Sequence, residues 1–565
     1  MRERMMWYRG RLGVVAALVA LLLVSARAPA KHAESKAAAP ARPKLVVLIV
    51  VDQMRADYVD RFGEKWHGGL RRLMDHGAWF TNAAYPYAKT VTCAGHATIS
   101  TGDFPATTGM IENSWWDRGM QKMVTCTGDP RSSLILYGSN KAASAEAGDS
   151  AWRMEAPSFA EQLRAQSPGS RVVTLSLKAR AAITLAGHQA DSVTWLDGTQ
   201  WATSTAFATA PRPELEKLAT EHPISDDYGQ VLFVKPGGNG TIRGTVDTSR
   251  GLPSVSMNAP AGTHGKPGPK FYENWPGSAF SDAYLERIAE TEIDTLKLGH
   301  GPGTDFLGIS FSALDIVGHA HGPDSSEVES ILRLLDATLG ALFERLDKSI
   351  GAGNYAVAFS ADHGVAPIPE NVERQGRDAG RANRDDLVER VEDVLKSYNP
   401  AGHSVAAFTD SDLYLAPGVY DKFRASSQSF DKVLTVIHNI PGVAAVYRGD
   451  ELSKDAVADP LAKAAFLSYF PGRSGDVIVI TKPYWFFDQP DKGGSWGSGT
   501  THGSPYAYDQ DVPIFLMGAA IRAGKYSNAV TPADIAPTLA ALTGVNIAHT
   551  DGQTLSVAVK ATPAH

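Results

Sequence analysis

The chain has 565 residues and a formal net charge of −7, with 43% hydrophobic and 20% charged residues. This composition is typical of a globular protein with a large core, and the acidic balance argues against a nucleic-acid scaffold, which usually carries a basic face. Two cysteines occur, Cys93 and Cys126; this is too few for a disulfide framework and leaves their pairing open.

Residues 1–30 have the layout of a secretory signal peptide. Arginines precede an almost unbroken apolar run at 12–24, and small residues between 25 and 30 offer cleavage sites. The alternative is an uncleaved membrane anchor, but the run is shorter than the roughly 20 residues that span a bilayer. Residues 31–43, rich in Ala, Pro and Lys, are predicted to be a disordered tether. We expect a periplasmic or secreted protein without stable membrane insertion after signal cleavage.

Continuous apolar runs predict strands that are buried on both faces. Such runs are typical of parallel strands covered by helices on each side. They occupy residues 44–51, 172–177, 306–311, 355–360 and 512–517. Helical periodicity lies between them, most clearly at 327–346 and 532–542. The sequence therefore predicts an α/β fold with a central, mostly parallel sheet sandwiched by helices.

Long segments separate the predicted strands. Those at about 114–170, 195–300 and 370–500 are rich in Gly, Pro, Ser and aromatic residues. We interpret them as lobes inserted into a single catalytic domain at 44–560, because none has the character of an independent domain.

Several residues with metal-ligand character follow the predicted strands. They are Asp52, Asp315 with His319, Asp362 with His363, and His502 in a Gly- and Ser-rich loop. Any one of them has a simpler explanation, such as a turn or the exit of a strand into solvent. In open α/β sheets, however, ligands collect beyond the carboxyl ends of the strands. A mixed set of imidazoles and carboxylates there suits zinc.

Residues 89–102 place several hydroxyl groups ahead of, or on, a predicted short helix. A threonine hydroxyl needs a metal or a base to become a good nucleophile. At a helix N-terminus it would also face backbone N–H groups that favour a phosphate. For any single threonine the alternative is a simple helix cap.

Together, the motifs from Asp52 to His502 resemble the alkaline phosphatase superfamily, which also contains sulfatases, nucleotide pyrophosphatases/phosphodiesterases and phosphoglycerate mutases. The closest likeness is to bacterial PafA-type alkaline phosphatases, which use a threonine nucleophile. The resemblance implies two Zn²⁺ ions. One would be held by Asp315, His319 and His502, and the other by Asp52, Asp362, His363 and Thr92.

The resemblance also implies the catalytic residues. Thr92 becomes the nucleophile, in preference to Thr90, because it lies four residues before the Gly95-His96 pair, as in the family; His96 is expected to be structural. Asn113 would donate a hydrogen bond to a phosphate oxygen. Lys178 and Arg180 would contact the phosphoryl oxygens, since a monoester carries more negative charge than a diester. The alternative for that pair is simple solvation.

These inferences predict an exported, metal-dependent phosphohydrolase that cleaves small phosphate monoesters through a phosphothreonine on Thr92. The alternative is a nucleotide pyrophosphatase/phosphodiesterase, which would be expected to lack a pair such as Lys178 and Arg180 and to offer a nucleotide pocket instead. A sulfatase is disfavoured because Cys93 is followed by Ala-Gly-His-Ala and not by the x-Pro-x-Arg that formylglycine formation requires. A non-catalytic binding protein is disfavoured because the full set of ligands is present. We expect a monomer without a nucleic-acid partner.

Overall fold

The computed structural model describes residues 42–138, 147–235, 238–244, 254–256, 266–400, 402–424, 427–453, 458–492, 494, 496–497 and 499–560. All of them belong to one of the two units into which the chain divides, Pro40–His565. The predicted signal peptide, and the predicted tether up to residue 41, lie outside the described residues. In the described parts of the chain, no helix combines the length and apolar character needed to cross a bilayer.

An eleven-stranded sheet forms the centre of the molecule. From one edge to the other its strands are Gly524–Val530, Ala78–Ala83, Ile514–Gly518, Tyr355–Ser360, Leu45–Val51, Asp305–Phe311, Val172–Ser176, Ser192–Asp197, Gln200–Ser204, Gly128–Leu136 and Ala147–Asp149. The five strands from Tyr355–Ser360 to Ser192–Asp197 run parallel. Towards both edges the pairing is mostly antiparallel, including that of Ile514–Gly518. The predicted α/β fold is confirmed, with a mixed sheet whose parallel part is its centre.

Helices cover both faces of this sheet. Alternate residues of Leu45–Val51 enter two different hydrophobic clusters, because neighbouring side chains of a strand point to opposite faces. One face packs against Asp57–Phe62, Gly69–His76, Ala279–Thr295, Ala313–His321 and Ser326–Ser349. The other packs against Phe159–Gln166 and Ile535–Thr543.

The other helices of the described chain connect or extend these layers. They are Thr92–Thr101, Pro105–Thr108, Ala179–Ala186, Pro213–Glu221, Pro269–Asn274, Pro369–Glu373, Arg384–Leu395, Val419–Arg424, Ser427–His438, Pro460–Ser468 and Ala507–Gln510. Several of them begin with proline, whose fixed φ and missing N–H suit the first turn of a helix.

The segment 370–500 contains a smaller sheet with its own hydrophobic cluster. Its four strands, in spatial order, are Val405–Phe408, Asp412–Leu415, Val477–Thr481 and Val443–Arg448. The helices Arg384–Leu395 and Ser427–His438 contribute to that cluster. Two further strands, Gly380–Asn383 and Trp485–Asp488, pair parallel beside it. We call residues 370–500 the accessory lobe.

The segments 114–170 and 195–300 are less separate from the core. They supply the edge strands Gly128–Leu136, Ala147–Asp149 and Gln200–Ser204 of the central sheet, and the packed helix Ala279–Thr295. They also hold a hairpin, Ser114–Asp117 with Lys122–Thr125, and a small sheet of Val231–Val234, Thr241–Gly244 and Ser254–Ser256.

The register of the parallel strands determines where their ends lie. Val51 pairs with Phe311, Val50 pairs with Ser360, and Ser310 pairs with Ser176. All four strands therefore end at one level of the sheet, and the polar residues that follow them are brought to the same edge.

Candidate active site and metal centre

Two groups of candidate metal ligands lie side by side at this edge. In one group, ligand atoms of Asp315, His363 and His502 lie within 4.8 Å of one another; in the other, those of Asp52, His96 and Asp362 do. His363 of the first group has its Nε2 3.2 Å from Asp362 Oδ2 of the second, so the two groups are in contact. The structure thus brings together Asp52, Asp315, Asp362, His363 and His502, five of the predicted ligands, from more than four hundred residues of sequence. It groups His363 with Asp315 and His502, and it places His96 beside Asp52 and Asp362.

The first predicted set is Asp315, His319 and His502. The Nε2 atoms of His319 and His502 lie 3.3 and 3.8 Å from Asp315 Oδ1. Each Nδ1 donates instead to a backbone carbonyl, of Thr500 at 2.8 Å and of Thr90 at 2.9 Å. This tautomer leaves the Nε2 lone pairs directed at Asp315, which is the arrangement that a metal-binding histidine needs.

The second predicted set is Asp52, Asp362 and His363, all fully buried. His363 Nδ1 lies 2.9 Å from the carbonyl of Gly364, while its Nε2 lies 3.2 Å from Asp362 Oδ2. Neither that Nε2 nor that Oδ2 has a hydrogen-bond partner among the described residues. Buried polar atoms are costly to leave unpaired. A cation between them would satisfy both, so these residues fit a metal ion.

The pKa shifts differ among the histidines of the site. Burial opposes the charge of His319 and His363, but Asp315 raises the pKa of His319 and Asp362 raises the pKa of His363. Burial, together with His363 and His319, lowers the pKa of His502 well below its usual value. His363 and His96 lower the pKa of Asp362, although burial opposes its ionisation. A neutral imidazole and an ionised carboxylate are the forms that bind a metal.

Lys178 connects the two sets. It precedes the helix Ala179–Ala186, and its Nζ lies 2.6 Å from Asp315 Oδ2 and 2.7 Å from Asp52 Oδ2. Burial opposes its charge, but the two carboxylates raise the pKa of Lys178, so the ammonium stays protonated. Arg180 follows on the first turn of that helix, and its Nε is buried without a partner among the described residues. Lys178 therefore lies between the two sets, and Arg180 lies close enough for its charge to act on Lys178.

Thr92 is the first residue of the helix Thr92–Thr101, every residue of which is buried. The N–H of Cys93 donates to Asn113 Oδ1 at 3.0 Å, which turns the amide of Asn113 towards the start of this helix. Cys93 is bonded to Cys126, with Cα atoms 6.7 Å apart. The pairing that the sequence left open is thus present, and the bond ties the Thr92 helix to the chain beyond Asn113.

His96 lies behind the second set. Its Nδ1 is 2.9 Å from the carbonyl of Thr92 and its Nε2 is 2.9 Å from Ser310 Oγ. Gly95 packs so closely on the strand end that a Cβ there would lie 2.1 Å from the carbonyl oxygen of Asp362. The Gly-His pair therefore lets the helix approach the ligands and holds its first residue in place.

Gln53 is a site residue that the sequence analysis missed. Its N–H donates to Asp362 Oδ1 at 3.0 Å and its Nε2 donates to Asp315 Oδ1 at 2.8 Å, so it orients one carboxylate of each set. This requires a φ of 68°, uncommon outside glycine. A Cβ on Gly318 would lie 1.8 Å from Gln53 Oε1, so that glycine makes the room. A Gln after a strand gives no signal of such a role.

A buried ion-pair cluster was missed as well. Lys89 Nζ lies 2.6 Å from Asp412 Oδ2 and 3.3 Å from Glu112 Oε1, with all three side chains almost fully buried. Burial raises the pKa of Glu112 to about 8. Lys89 lies three residues before Thr92, and Glu112 directly precedes Asn113. The cluster thus anchors both loops of the site to a strand of the accessory lobe.

Comparison with known proteins agrees with this geometry. The type I phosphodiesterase / nucleotide pyrophosphatase family matches residues 46–505. Alkaline phosphatase PafA of Elizabethkingia meningoseptica is 31% identical over 93% of this chain and 95% of its own. Alkaline phosphatase PhoK of Sphingomonas sp is 32% identical over 90% of this chain and 89% of its own. A crystal structure of wild-type PafA, 28% identical, matches with a TM-score of 0.77 over 92% of this chain and 99% of that one.

The fold and the site define a phosphohydrolase of the alkaline phosphatase superfamily, and the chain belongs to the type I phosphodiesterase / nucleotide pyrophosphatase family within it. Within that family it is an enzyme of the alkaline phosphatase type, similar to PafA and PhoK, and its substrates are small phosphate esters. The predicted resemblance to PafA-type enzymes is confirmed.

Proposed function

We propose that the enzyme is an exported phosphomonoesterase that carries two zinc ions and uses Thr92 as its nucleophile. The observation that carries this proposal is the position of Lys178, whose ammonium contacts a carboxylate of each ligand set. Together with Arg180, it places positive side-chain charge where a dianionic monoester would need it. A phosphate diester carries one negative charge fewer and gains less from these cations.

The donor set supports zinc, since imidazole and carboxylate ligands in tetrahedral sites are typical of that ion. Asp315, His319 and His502 would hold one ion. Asp52, Asp362 and His363 would hold the other, with Thr92 Oγ1 completing its ligands. When bound, two such ions stabilise the charge on the attacking and leaving oxygens of an in-line displacement.

The chain's own residues account for the rest of the reaction. Thr92 loses its hydroxyl proton to solvent and its Oγ1 attacks phosphorus, so that the Oγ1–P bond forms while the bond to the leaving oxygen breaks and that oxygen takes up a proton. A water molecule then loses a proton and attacks the same phosphorus, and the Oγ1–P bond breaks, which releases phosphate and returns the hydroxyl of Thr92. The start of the Thr92–Thr101 helix directs backbone N–H groups and the positive end of its dipole at the phosphoryl oxygens. Asn113, held through its Oδ1, has its NH₂ group available to donate to one of them.

A crystal structure of a PafA mutant supports these roles. A second PafA crystal structure, 27% identical to this chain with a TM-score of 0.77, is of a mutant with substitutions at a threonine, an asparagine, a lysine and an arginine. The spacing between the first two, and between the last two, equals that of Thr92 and Asn113 and of Lys178 and Arg180.

The alternative of a nucleotide pyrophosphatase/phosphodiesterase has one observation in its favour, the family that matches residues 46–505. The two functions differ in substrate preference. We expect the purified wild-type enzyme to hydrolyse an aryl phosphate monoester with a higher kcat/KM than the matching aryl diester or aryl sulfate. A wild type that prefers the diester would favour the phosphodiesterase instead.

Metal removal gives the next test. Dialysis against a strong chelator should abolish monoesterase activity, and two equivalents of Zn²⁺ per chain should restore it, because the proposal assigns three protein ligands, besides Thr92, to each of two ions. Elemental analysis of the untreated enzyme and titration with Zn²⁺, Mg²⁺, Mn²⁺ and Ca²⁺ would check this. Full activity after chelation, or restoration by Ca²⁺ but not by Zn²⁺, would contradict the proposal.

Gln53→Ala should weaken zinc binding by about 10- to 100-fold, the usual cost of losing a residue that orients metal ligands. The amide of Gln53 holds the Asp315 carboxylate, so the effect should appear in chelator competition as well as in activity. Gln510→Ala is a matched control, because its amide donates to the carbonyl of Tyr87 instead of to a ligand. Equal zinc affinity in the two variants would show that Gln53 does not orient the site.

Export belongs to the proposal as well. The mature protein should begin after the small residues at 25–30, which N-terminal sequencing of protein from the periplasm or medium would check. A full-length chain retained in the membrane fraction would favour the uncleaved anchor.

We keep the prediction of a monomer, which size-exclusion chromatography with light scattering would test.

A further inference from the structure

A cavity of about 310 Å³ opens beside the first ligand set. One wall consists of His319 and His502, and much of the remainder comes from the accessory lobe, including Asp410, Ile480, Thr481 and Phe486. We call it the lobe cavity. Its volume lies at the lower end of the range for small-molecule sites, which suits a group the size of one ring system.

Part of the wall of the lobe cavity is apolar. Ile480 is a buried residue of the strand Val477–Thr481, and Phe486 is half-buried on the next strand. The side chain of Val479 points to the opposite face of its strand, into the hydrophobic cluster of the lobe, so Val479 lines the cavity through its backbone. The guanidinium of Arg381 lies 4.9 Å from the ring centroid of Phe486. Ile480 and Phe486 therefore offer apolar surface that a flat organic group can bury.

The two cations in the wall are already neutralised. Lys89 is paired with Asp412 and Glu112 at 2.6 and 3.3 Å. Arg381 is paired with Glu370 at 2.7 Å and with Asp488 at 2.8 Å, and another of its N–H groups donates to the carbonyl of Gly499. Among the described residues that line the cavity, no Lys or Arg is left without a carboxylate partner.

The carboxylates of the same wall are largely balanced as well. Asp488 is paired with Arg381 at 2.8 Å and Asp410 with Arg384 at 3.2 Å, and burial raises the pKa of Asp509 to about 7. The phosphoryl site differs, because Arg180 there has an Nε without a partner among the described residues. A second phosphate or a carboxylate in the lobe cavity would find no unpaired Lys or Arg among the described residues that line it.

We propose that the lobe cavity binds the leaving group of the substrate and selects neutral alcohols that carry a ring over alcohols that carry a second anionic group. This rests on the proposed function, in which the leaving oxygen departs on the side of His319 and His502. The phosphoryl site then recognises the dianion, while the accessory lobe recognises the organic part.

The apolar wall is tested by Phe486→Ala with two substrates, benzyl phosphate and methyl phosphate. The benzyl-to-methyl ratio of kcat/KM in the variant is divided by the same ratio in the wild type, which removes the intrinsic difference in reactivity between the two substrates. We expect this quotient to lie about 5- to 20-fold below one. Phe408→Ala is the matched control, since Phe408 is a half-buried ring of the same lobe that does not line the cavity. Its quotient should stay near one.

The charge of the wall is tested by Asp410→Lys with benzyl phosphate and its 4-carboxy derivative. The wild type should prefer the uncharged substrate about tenfold, and the variant should bring the two kcat/KM values together. Asp421→Lys is the control, because it makes the same charge change at an exposed residue of the lobe outside the cavity.

The outcomes distinguish a wrong assignment of the lobe cavity from a wrong proposed function. A Phe486→Ala quotient near one, or a wild type that accepts the 4-carboxy substrate equally well, would overturn the assignment of the cavity alone. A wild type that hydrolyses neither benzyl nor methyl phosphate would overturn the proposed function and this assignment with it.

Discussion

Thr92→Ala should lower kcat/KM for an aryl phosphate monoester by roughly 10³- to 10⁶-fold, the range seen when an enzyme loses its nucleophile but keeps the rest of its site. The variant keeps both ligand sets, Lys178 and Asn113, so substrate should still bind and a small residual rate through direct attack by water is expected. Steady-state kinetics on one aryl monoester would measure the loss. Acid quenching followed by peptide mass spectrometry should find the phosphoryl group on Thr92 in the wild type alone.

Thr90→Ala is the matched control, because Thr90 is the other hydroxyl of the same loop that could attack. Its Oγ1 donates to the carbonyl of Ser504 at 3.1 Å, and only its backbone carbonyl holds His502. The side-chain change should therefore cost far less than the change at Thr92. Activity that depends on Thr90 and survives Thr92→Ala would contradict the proposed nucleophile.

The double variant Lys178→Ala/Arg180→Ala should lose at least about 100-fold in kcat/KM for a monoester and less than about tenfold for the matching diester. The physical reason is charge: charge-assisted hydrogen bonds to a dianion are stronger than those to a monoanion. The quantity to compare is the monoester-to-diester ratio, measured in both enzymes under the same salt concentration because screening weakens exposed charges.

Two controls make this result interpretable. Lys178 contacts Asp52 and Asp315, so the zinc content of the variant must be measured to separate lost substrate binding from lost metal. Arg522→Ala/Lys525→Ala removes the same total charge near the outermost strand of the sheet and should leave the ratio unchanged. An equal fall on monoester and diester at full zinc content would indicate that Lys178 and Arg180 do not select monoesters.

The core strands could be predicted from the sequence because each is apolar on both faces. The run at 355–360 coincides with Tyr355–Ser360, and the run at 44–51 with Leu45–Val51 to within one residue. The helix predicted at 327–346 is Ser326–Ser349. Strand direction was not predictable in this way: the run at 512–517 is the antiparallel strand Ile514–Gly518, since continuous apolarity reports burial and not orientation.

The edge strands were not predicted. Gly128–Leu136 and Gln200–Ser204 lie in segments interpreted as inserted lobes, because neither contains a continuous apolar run. Gly128–Leu136 is partly exposed, and Gln200–Ser204 is mostly buried but reads Gln-Trp-Ala-Thr-Ser. The predicted inserts therefore contribute to the central sheet as well as extending from it.

The sequence by itself determined which residue types stand at the strand ends, and so the candidate ligands, because each is read from a short local motif; the candidate nucleophile Thr92 and the role of the Lys-x-Arg pair came from the resemblance to a family. Only the tertiary structure decided how they meet. Gln53 reaches Asp315 across 262 residues, Lys89 reaches Asp412, and the lobe cavity joins His319 to Phe486. The physical reason is that hydrogen bonds and ion pairs act over a few ångströms in space, and local sequence patterns do not encode which distant segments the fold brings together.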